Sequence, residues 1–315
     1  MSKRYLRASS LLFNQPLLVT PDMLDLGVRW ANQTMSLNII NLGGGSAQLW
    51  KDDDSIDRVA FADEQRRNAI AQTGIEVIPV SGVLVSRGSH LNACETMTSY
   101  EGLRSQLQRA VADPLVEHIV LDIDSPGGSA VGAFELAEDI RAMTAQKPIT
   151  GLVNFMAYSG GYLIGSACSE LVVSRTSGVG SIGVIASHMD RSKMEEGMGV
   201  KVTTVYAGAH KNDLSPHEPI TEQSMKFLNE LVQESYQMFV GAVSEYRGLS
   251  LAKVIGTEAA LYRGQNAINA GLADRLQNPQ HTVDELSRAV AQNRATRQTG
   301  RITVRAAALA MQSLA

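Results

Sequence analysis

Cysteine is nearly missing from this chain: 315 residues carry only Cys94 and Cys168, without metal-ligand spacing and too few for a disulfide framework. That excludes a cross-linked extracellular scaffold and favours a reducing, cytoplasmic setting. An excess of one charge is missing too. Lys and Arg number 28 against 32 Asp and Glu, a net charge of −4, so the basic field of a nucleic-acid binder is absent. No stretch approaches the roughly 20 apolar residues of a membrane span. The basic start, residues 1–7, meets Asn14 and Pro16 before any continuous apolar core, so it reads as neither signal peptide nor anchor. Aromatic residues make up only 5% of the chain, and the 44% hydrophobic content rests on aliphatic side chains able to fill one large domain or two smaller ones. No repeat, low-complexity tract, cofactor motif or metal motif is present.

What is present is an alternation of strand and helix patterns. Ile75–Val80 opens a sheet, and Ser99–Ala112 reads as a helix before the buried run Val116–Asp124. That run leads into Ser125-Pro126-Gly127-Gly128. A helical period follows at Val131, Phe134, Ala137, Ile140 and Met143, and Lys147-Pro148 ends it before the strand Ile149–Asn154. This is a βαβ crossover, which predicts an α/β fold with parallel neighbouring strands. Both glycine pairs, Gly127-Gly128 and Gly160-Gly161, then lie at the carboxyl ends of adjacent strands, where open α/β sheets place their sites. Further on, Val202–Tyr206 reads as a strand and Ile220–Tyr246 as a long helix with Met225, Leu228, Val232, Tyr236 and Phe239 on one face.

The segment Tyr158-Ser159-Gly160-Gly161 carries the first chemical signal. A serine at a tight strand-to-helix turn projects its Oγ, and the glycines behind it let a substrate backbone approach the free N–H groups of the new helix. Alone, Ser-Gly-Gly is more often an ordinary turn. With Gly127, Gly128 and Gly160 offering paired amide donors beside it, Ser159 becomes a candidate nucleophile facing an oxyanion hole.

Four blocks, Ser125-Pro126-Gly127-Gly128, Ser159-Gly160-Gly161-Tyr162, Gly178-Val179-Gly180-Ser181-Ile182-Gly183-Val184 and Gly208-Ala209-His210-Lys211-Asn212, resemble in order and spacing the signal peptide peptidase A (protease IV) family of serine peptidases. The resemblance spans roughly residues 75 to 278. Leu12–Pro21 is similar to the opening of the phage branch, the head maturation proteases that cut scaffold and coat proteins during capsid assembly. The resemblance implies a Clp protease/crotonase-like fold of stacked βαβ units, protein substrates and a homo-oligomeric ring, located in the host cytoplasm or prohead interior. It also implies a Ser–Lys dyad of Ser159 and Lys211, with Ser181 orienting the lysine amine and with no cofactor or metal. Such a lysine needs desolvation to release a free amine near neutral pH.

Other bases compete with Lys211. The histidines stand at positions 90, 118, 188, 210, 217 and 281. His118 reads as structural in mid-strand, whereas His188, His210 and His217 fall in loops where a Ser-His-Asp arrangement would need one of them. Lys193, Lys201 and Lys226 read as solvated, and Asp122 and Asp124 are assigned no catalytic role. Three other functions stay open: a cellular peptidase that degrades signal peptides, a crotonase-like acyl-CoA enzyme that needs no nucleophile at 159, and a non-catalytic capsid assembly protein.

The chain divides into an N-terminal arm (1–45) with a short helix over Pro21–Met35, a flexible charged segment (46–74), a peptidase domain (75–280) and a C-terminal tail (281–315). The tail sets five arginines against Asp284 and Glu285 and reads as a basic helical extension that docks, is self-cleaved or is simply solvated. The glycine- and alanine-rich surroundings of Ser159 predict a preference for small or apolar residues beside the cut.

Overall fold

Buried β-branched runs build the centre of the molecule in a computed structural model that describes residues 15–20, 54–87 and 97–312. In chain order the elements are β1 (Leu17–Val19), α1 (Asp54–Thr73), β2 (Ile75–Val85), β3 (Met97–Ser99), α2 (Tyr100–Ala112), β4 (His118–Ser129), α3 (Ala133–Met143), β5 (Ile149–Tyr158) and α4 (Gly160–Ser166). They continue with β6 (Glu170–Val173), β7 (Gly178–Gly180), α5 (Ser192–Gly197), α6 (Glu222–Arg247), α7 (Leu251–Ile255), β8 (Leu261–Arg263), α8 (Gln265–Ala270), β9 (Arg275–Leu276) and α9 (Pro279–Gln312).

The main sheet runs β3-β2-β4-β5-β6-β9, with every neighbouring pair parallel. Two pairs on its flanks are antiparallel, β1 with β4 and β7 with β8. The α/β class and the parallel βαβ units agree with the sequence reading. Along β4, Ile119, Leu121 and Ile123 join one core with Leu103 and Leu107 of α2 and Leu136 and Ile140 of α3. Val120 alternates to the opposite face, where it packs with Ile75, Leu152, Val172 and Val290 of α9. Burying each such Leu, Ile or Val side chain is worth roughly 1.5–3 kcal/mol, and this two-sided burial fixes the register.

Local signals set the helix ends. Ser99 caps α2 by accepting from the Gly102 amide, and Thr221 caps α6 by accepting from the Ser224 amide. Gly248 closes α6 in the left-handed conformation. The C-terminal part of α6 is tied to the sheet by Arg247, whose guanidinium holds Asp274 at 2.9 and 2.7 Å, while Asp274 also accepts the Leu171 amide at 2.7 Å. Burial works to raise the Asp274 carboxyl, but the hydrogen bonds and charge of Arg247 carry it below its ordinary value. Asp274→Ala leaves the arginine, 7% exposed, without its anion. The expected cost is about 2–3 kcal/mol in urea unfolding, less than for a fully buried pair because solvent screens the part-exposed Asp274.

Several boundaries differ from the sequence reading. The segment expected to be flexible and charged contains α1, which packs against β2 and α9. Part of the N-terminal arm is a sheet strand, β1. The tail begins as a docked helix: Arg294 bonds Glu117 at 2.6 Å and the carbonyls of Ala71 and Leu115, and Arg297 reaches Glu117 at 3.1 Å. Of the readings that charge composition left open, these contacts match docking, and the partners are a carboxylate and carbonyls of the same chain. No strand forms over Val202–Tyr206; Val205 there is 93% exposed. The helix expected over Pro21–Met35, His90 and Cys94 lie outside the described residues.

Candidate active site

The end of β5 and the start of α4 form a sharp elbow at Ser159, with φ 52° and ψ −117°, a conformation few non-glycine residues adopt. Such strain persists only where the surroundings hold it, and here the Ser159 amide donates to the Gly180 carbonyl at 2.8 Å while its carbonyl accepts from Leu163 at 2.9 Å. Ser159 is fully buried, and its Oγ meets the Gly183 carbonyl at 3.5 Å, too long to tie it down. No short hydrogen bond among the described residues therefore holds the hydroxyl.

The glycine pair of β4 lies beside this elbow. Gly127 has φ 103°, and a Cβ placed on it would stand 1.8 Å from the Leu18 carbonyl oxygen and 2.9 Å from the Gly160 nitrogen. A Cβ on Gly128 would stand 1.8 Å from the Leu84 carbonyl oxygen, and one on Gly160 3.4 Å from the Gly128 nitrogen. The two glycine blocks thus adjoin, as an oxyanion hole built from both requires. Ser125 fixes the turn, its Oγ donating to the Gly82 carbonyl at 2.7 Å and accepting from the Gly127 amide at 3.1 Å. Tyr100, fully buried, donates to the Ser129 carbonyl at 2.6 Å and supports the far end of the same strand.

Gly128→Ala forces β4 away from the β2 backbone, because the clash is with a carbonyl rather than with a flexible side chain. In an oxyanion hole that uses the Gly128 amide, displacing that amide is expected to lower kcat about 100- to 1,000-fold, together with a lowered melting temperature. Steady-state kinetics and thermal unfolding measure both.

Ser181, at the left-handed φ of 55°, follows Gly180 directly and is buried beside the elbow, its amide bonded to the Ala260 carbonyl at 3.1 Å. The structure therefore gathers Ser159, Ser181, Gly127, Gly128 and Gly160. It does not bring Lys211 to them. Lys211 is exposed in a turn, its amide bonded to the Gly208 carbonyl at 3.0 Å, and among the described residues its ammonium makes no hydrogen bond or ion pair. The desolvation expected around it is absent in the single chain.

No described histidine hydrogen-bonds Ser159. His118 bonds Thr150 at 2.9 Å, and burial pushes its ring down to about 4, so it is a neutral structural group. His210 pairs with Asp213 at 2.7 Å and His217 with Glu195 at 2.8 Å. Asp122 is held above its ordinary range by burial and by the charge of Asp124, itself raised by burial. The Cys168 thiol is buried and pushed up to about 12, which leaves it unreactive. Among the described residues no group of His, Cys, Asp or Glu forms a metal cluster, and no helix is long and apolar enough to cross a membrane. Sequence reasoning missed that β1 lies against Gly127 and Gly128; its three residues carry no pattern that names a partner.

Comparison with known proteins gives this geometry its context. The model of Peptidase family S49 matches residues 141–293. Capsid assembly protease C of Escherichia phage lambda is 36% identical over 306 residues, covering 94% of this chain and 68% of that protein. This chain belongs to peptidase family S49. The S49 chain is also 41% identical over 220 residues to head-tail preconnector protein GP5 of Enterobacteria phage P21, covering 70% of the chain and 44% of that relative, so it spans less than half of the latter's length. A putative signal peptide peptidase SppA of Enterococcus faecium is 28% identical over 233 residues, 72% of this chain and 67% of that one. As an S49 member the chain is a serine peptidase, and the acyl-CoA reading falls away.

Proposed function

We propose that this S49 peptidase is a head maturation protease of a phage or prophage that cuts scaffold and coat proteins through a Ser159–Lys211 dyad. The observation that carries the chemistry is the strained Ser159 elbow set against Gly127 and Gly128. The similarity across 306 residues to a capsid assembly protease supports the biological setting.

In this reading Lys211 removes the Ser159 proton and Ser159 attacks the peptide carbonyl. The Gly128 and Gly160 amides, with Gly127 shaping the turn, stabilise the tetrahedral oxyanion, and Lys211 returns the proton to the leaving amine. Water then hydrolyses the acyl-enzyme. Ser181 positions the lysine amine. Because Lys211 is exposed in one chain, the dyad is completed in a homo-oligomeric assembly, where a second copy covers the lysine-bearing segment. The exposed Val200, Val202, Val205 and Tyr206 of that segment favour such a cover.

Incubating the purified peptidase with the coat and scaffold proteins of its own genome, followed by mass spectrometry, tests the substrate reading. Discrete cleavage products that depend on Ser159 are expected. Intact coat and scaffold beside a chain that hydrolyses unrelated peptides would reject the capsid role while leaving the peptidase.

A further inference from the structure

The short strand β1 occupies an unusual place. Beyond the pair Ser125↔Ala157, β5 turns away from β4 into the Ser159 elbow, which opens the edge of Gly127–Ser129 on that side. Strand β1 fills that opening, antiparallel, with Leu17 opposite Ser129, Leu18 opposite Gly128 and Val19 opposite Gly127. Its other edge pairs with the chain just after Ser181. The Leu17 amide donates to the Ile185 carbonyl at 2.8 Å and the Ile185 amide to the Leu17 carbonyl at 3.0 Å. Segment 15–20 is therefore threaded between two of the blocks that frame the nucleophile.

Its register is set at the reacting position. The Ala130 amide donates to the Pro16 carbonyl at 3.4 Å, and the alternation of antiparallel ladders makes Leu18 and Gly128 the next hydrogen-bonded pair. That turns the Leu18 carbonyl toward the Gly128 amide. The same oxygen stands 3.4 Å from where a Cβ on Gly160 would be, and 1.8 Å from one on Gly127. Leu18 is fully buried. An extended peptide whose carbonyl meets both glycine blocks, with its side chain buried beside the elbow, has the arrangement of a bound substrate strand.

We propose that β1 is a built-in competitor: the chain's own segment Gln15–Thr20 occupies the substrate groove, with Leu18 at the residue whose carbonyl enters the oxyanion hole. A substrate strand must displace it. The groove accordingly accepts extended peptide with a branched aliphatic side chain at Leu18's position, a narrower class than small or apolar residues in general. This inference rests on Ser159 being the nucleophile and on the glycine amides forming the oxyanion hole.

The test measures the rate at which a fluorophosphonate labels Ser159 in the full chain and in two variants, Leu18→Gly and Leu18→Pro. The first loses the buried side chain, the second the amide that pairs with Gly128. Whichever variant keeps a cooperative thermal transition should label at least tenfold faster than the unmodified chain. A synthetic peptide of residues 13–22 added to it should return the rate to the unmodified value. Unchanged or slower labelling, or a peptide without effect, overturns the competitor role and leaves Ser159 intact as nucleophile. No labelling of Ser159 in any of the chains instead overturns the nucleophile reading, and the competitor with it.

Discussion

Ser159→Ala is expected to abolish proteolysis while leaving the fold in place. When a nucleophile and its base act as one unit, removing either costs most of their joint effect, about a million-fold in kcat where it has been measured in a serine protease. The fold is expected to persist because the Oγ contributes only a 3.5 Å approach to the Gly183 carbonyl, whereas the elbow itself is held by backbone bonds from Ser159 to Gly180 and Leu163. Alanine meets the same positive φ at the same steric cost as serine. Unfolding free energy should therefore change by no more than about 1.5 kcal/mol. Peptide hydrolysis and urea titration on the same preparation separate the two effects. Turnover surviving in Ser159→Ala would assign the nucleophile elsewhere.

Lys211→Ala is the second large effect, and its pattern is more informative than its size. The exposed lysine of one chain has no described partner, so a loss as large as that of Ser159→Ala, about a million-fold, is expected only if assembly brings it to a serine. Mixing Ser159→Ala chains with Lys211→Ala chains then restores activity. If each site takes its serine from one chain and its lysine from the next across a repeating head-to-tail interface, random mixing regenerates up to about a quarter of the sites. Neither variant alone recovers anything. A mixture as inactive as its components would place both residues of the dyad in one chain and require the segment around Lys211 to close over its own Ser159.

These two residues also show how differently a site can be written in a sequence. Ser159 and its glycines were legible because a strand-to-helix elbow is a local object: small residues, a preceding apolar strand and a following helix all lie within a dozen positions. The βαβ crossover from Val116 to Asn154 was legible for the same reason, since hydrophobic period reports which face of a strand or helix is buried. Lys211 became a candidate only through resemblance, because nothing local distinguishes it from a solvated turn lysine. The arginines of the last helix illustrate a reading that composition leaves open. Their count read as a basic extension, while Arg294 is bound across the fold to Glu117 and two carbonyls from distant segments.

The α/β class, the parallel crossover and the glycine-flanked serine could be read from the residues in order, because they follow from periodicity and from the backbone conformations that glycine permits. Only the folded chain shows that Leu17–Val19 pairs with the glycine strand, that Arg247 is paired with Asp274, and that Lys211 is exposed while Ser159 is buried. The physical reason is sequence separation. A hydrogen-bonded edge, an ion pair across the fold or the burial around a lysine is a relation between segments far apart in the chain, and neither composition nor local spacing records which distant segment supplies the partner.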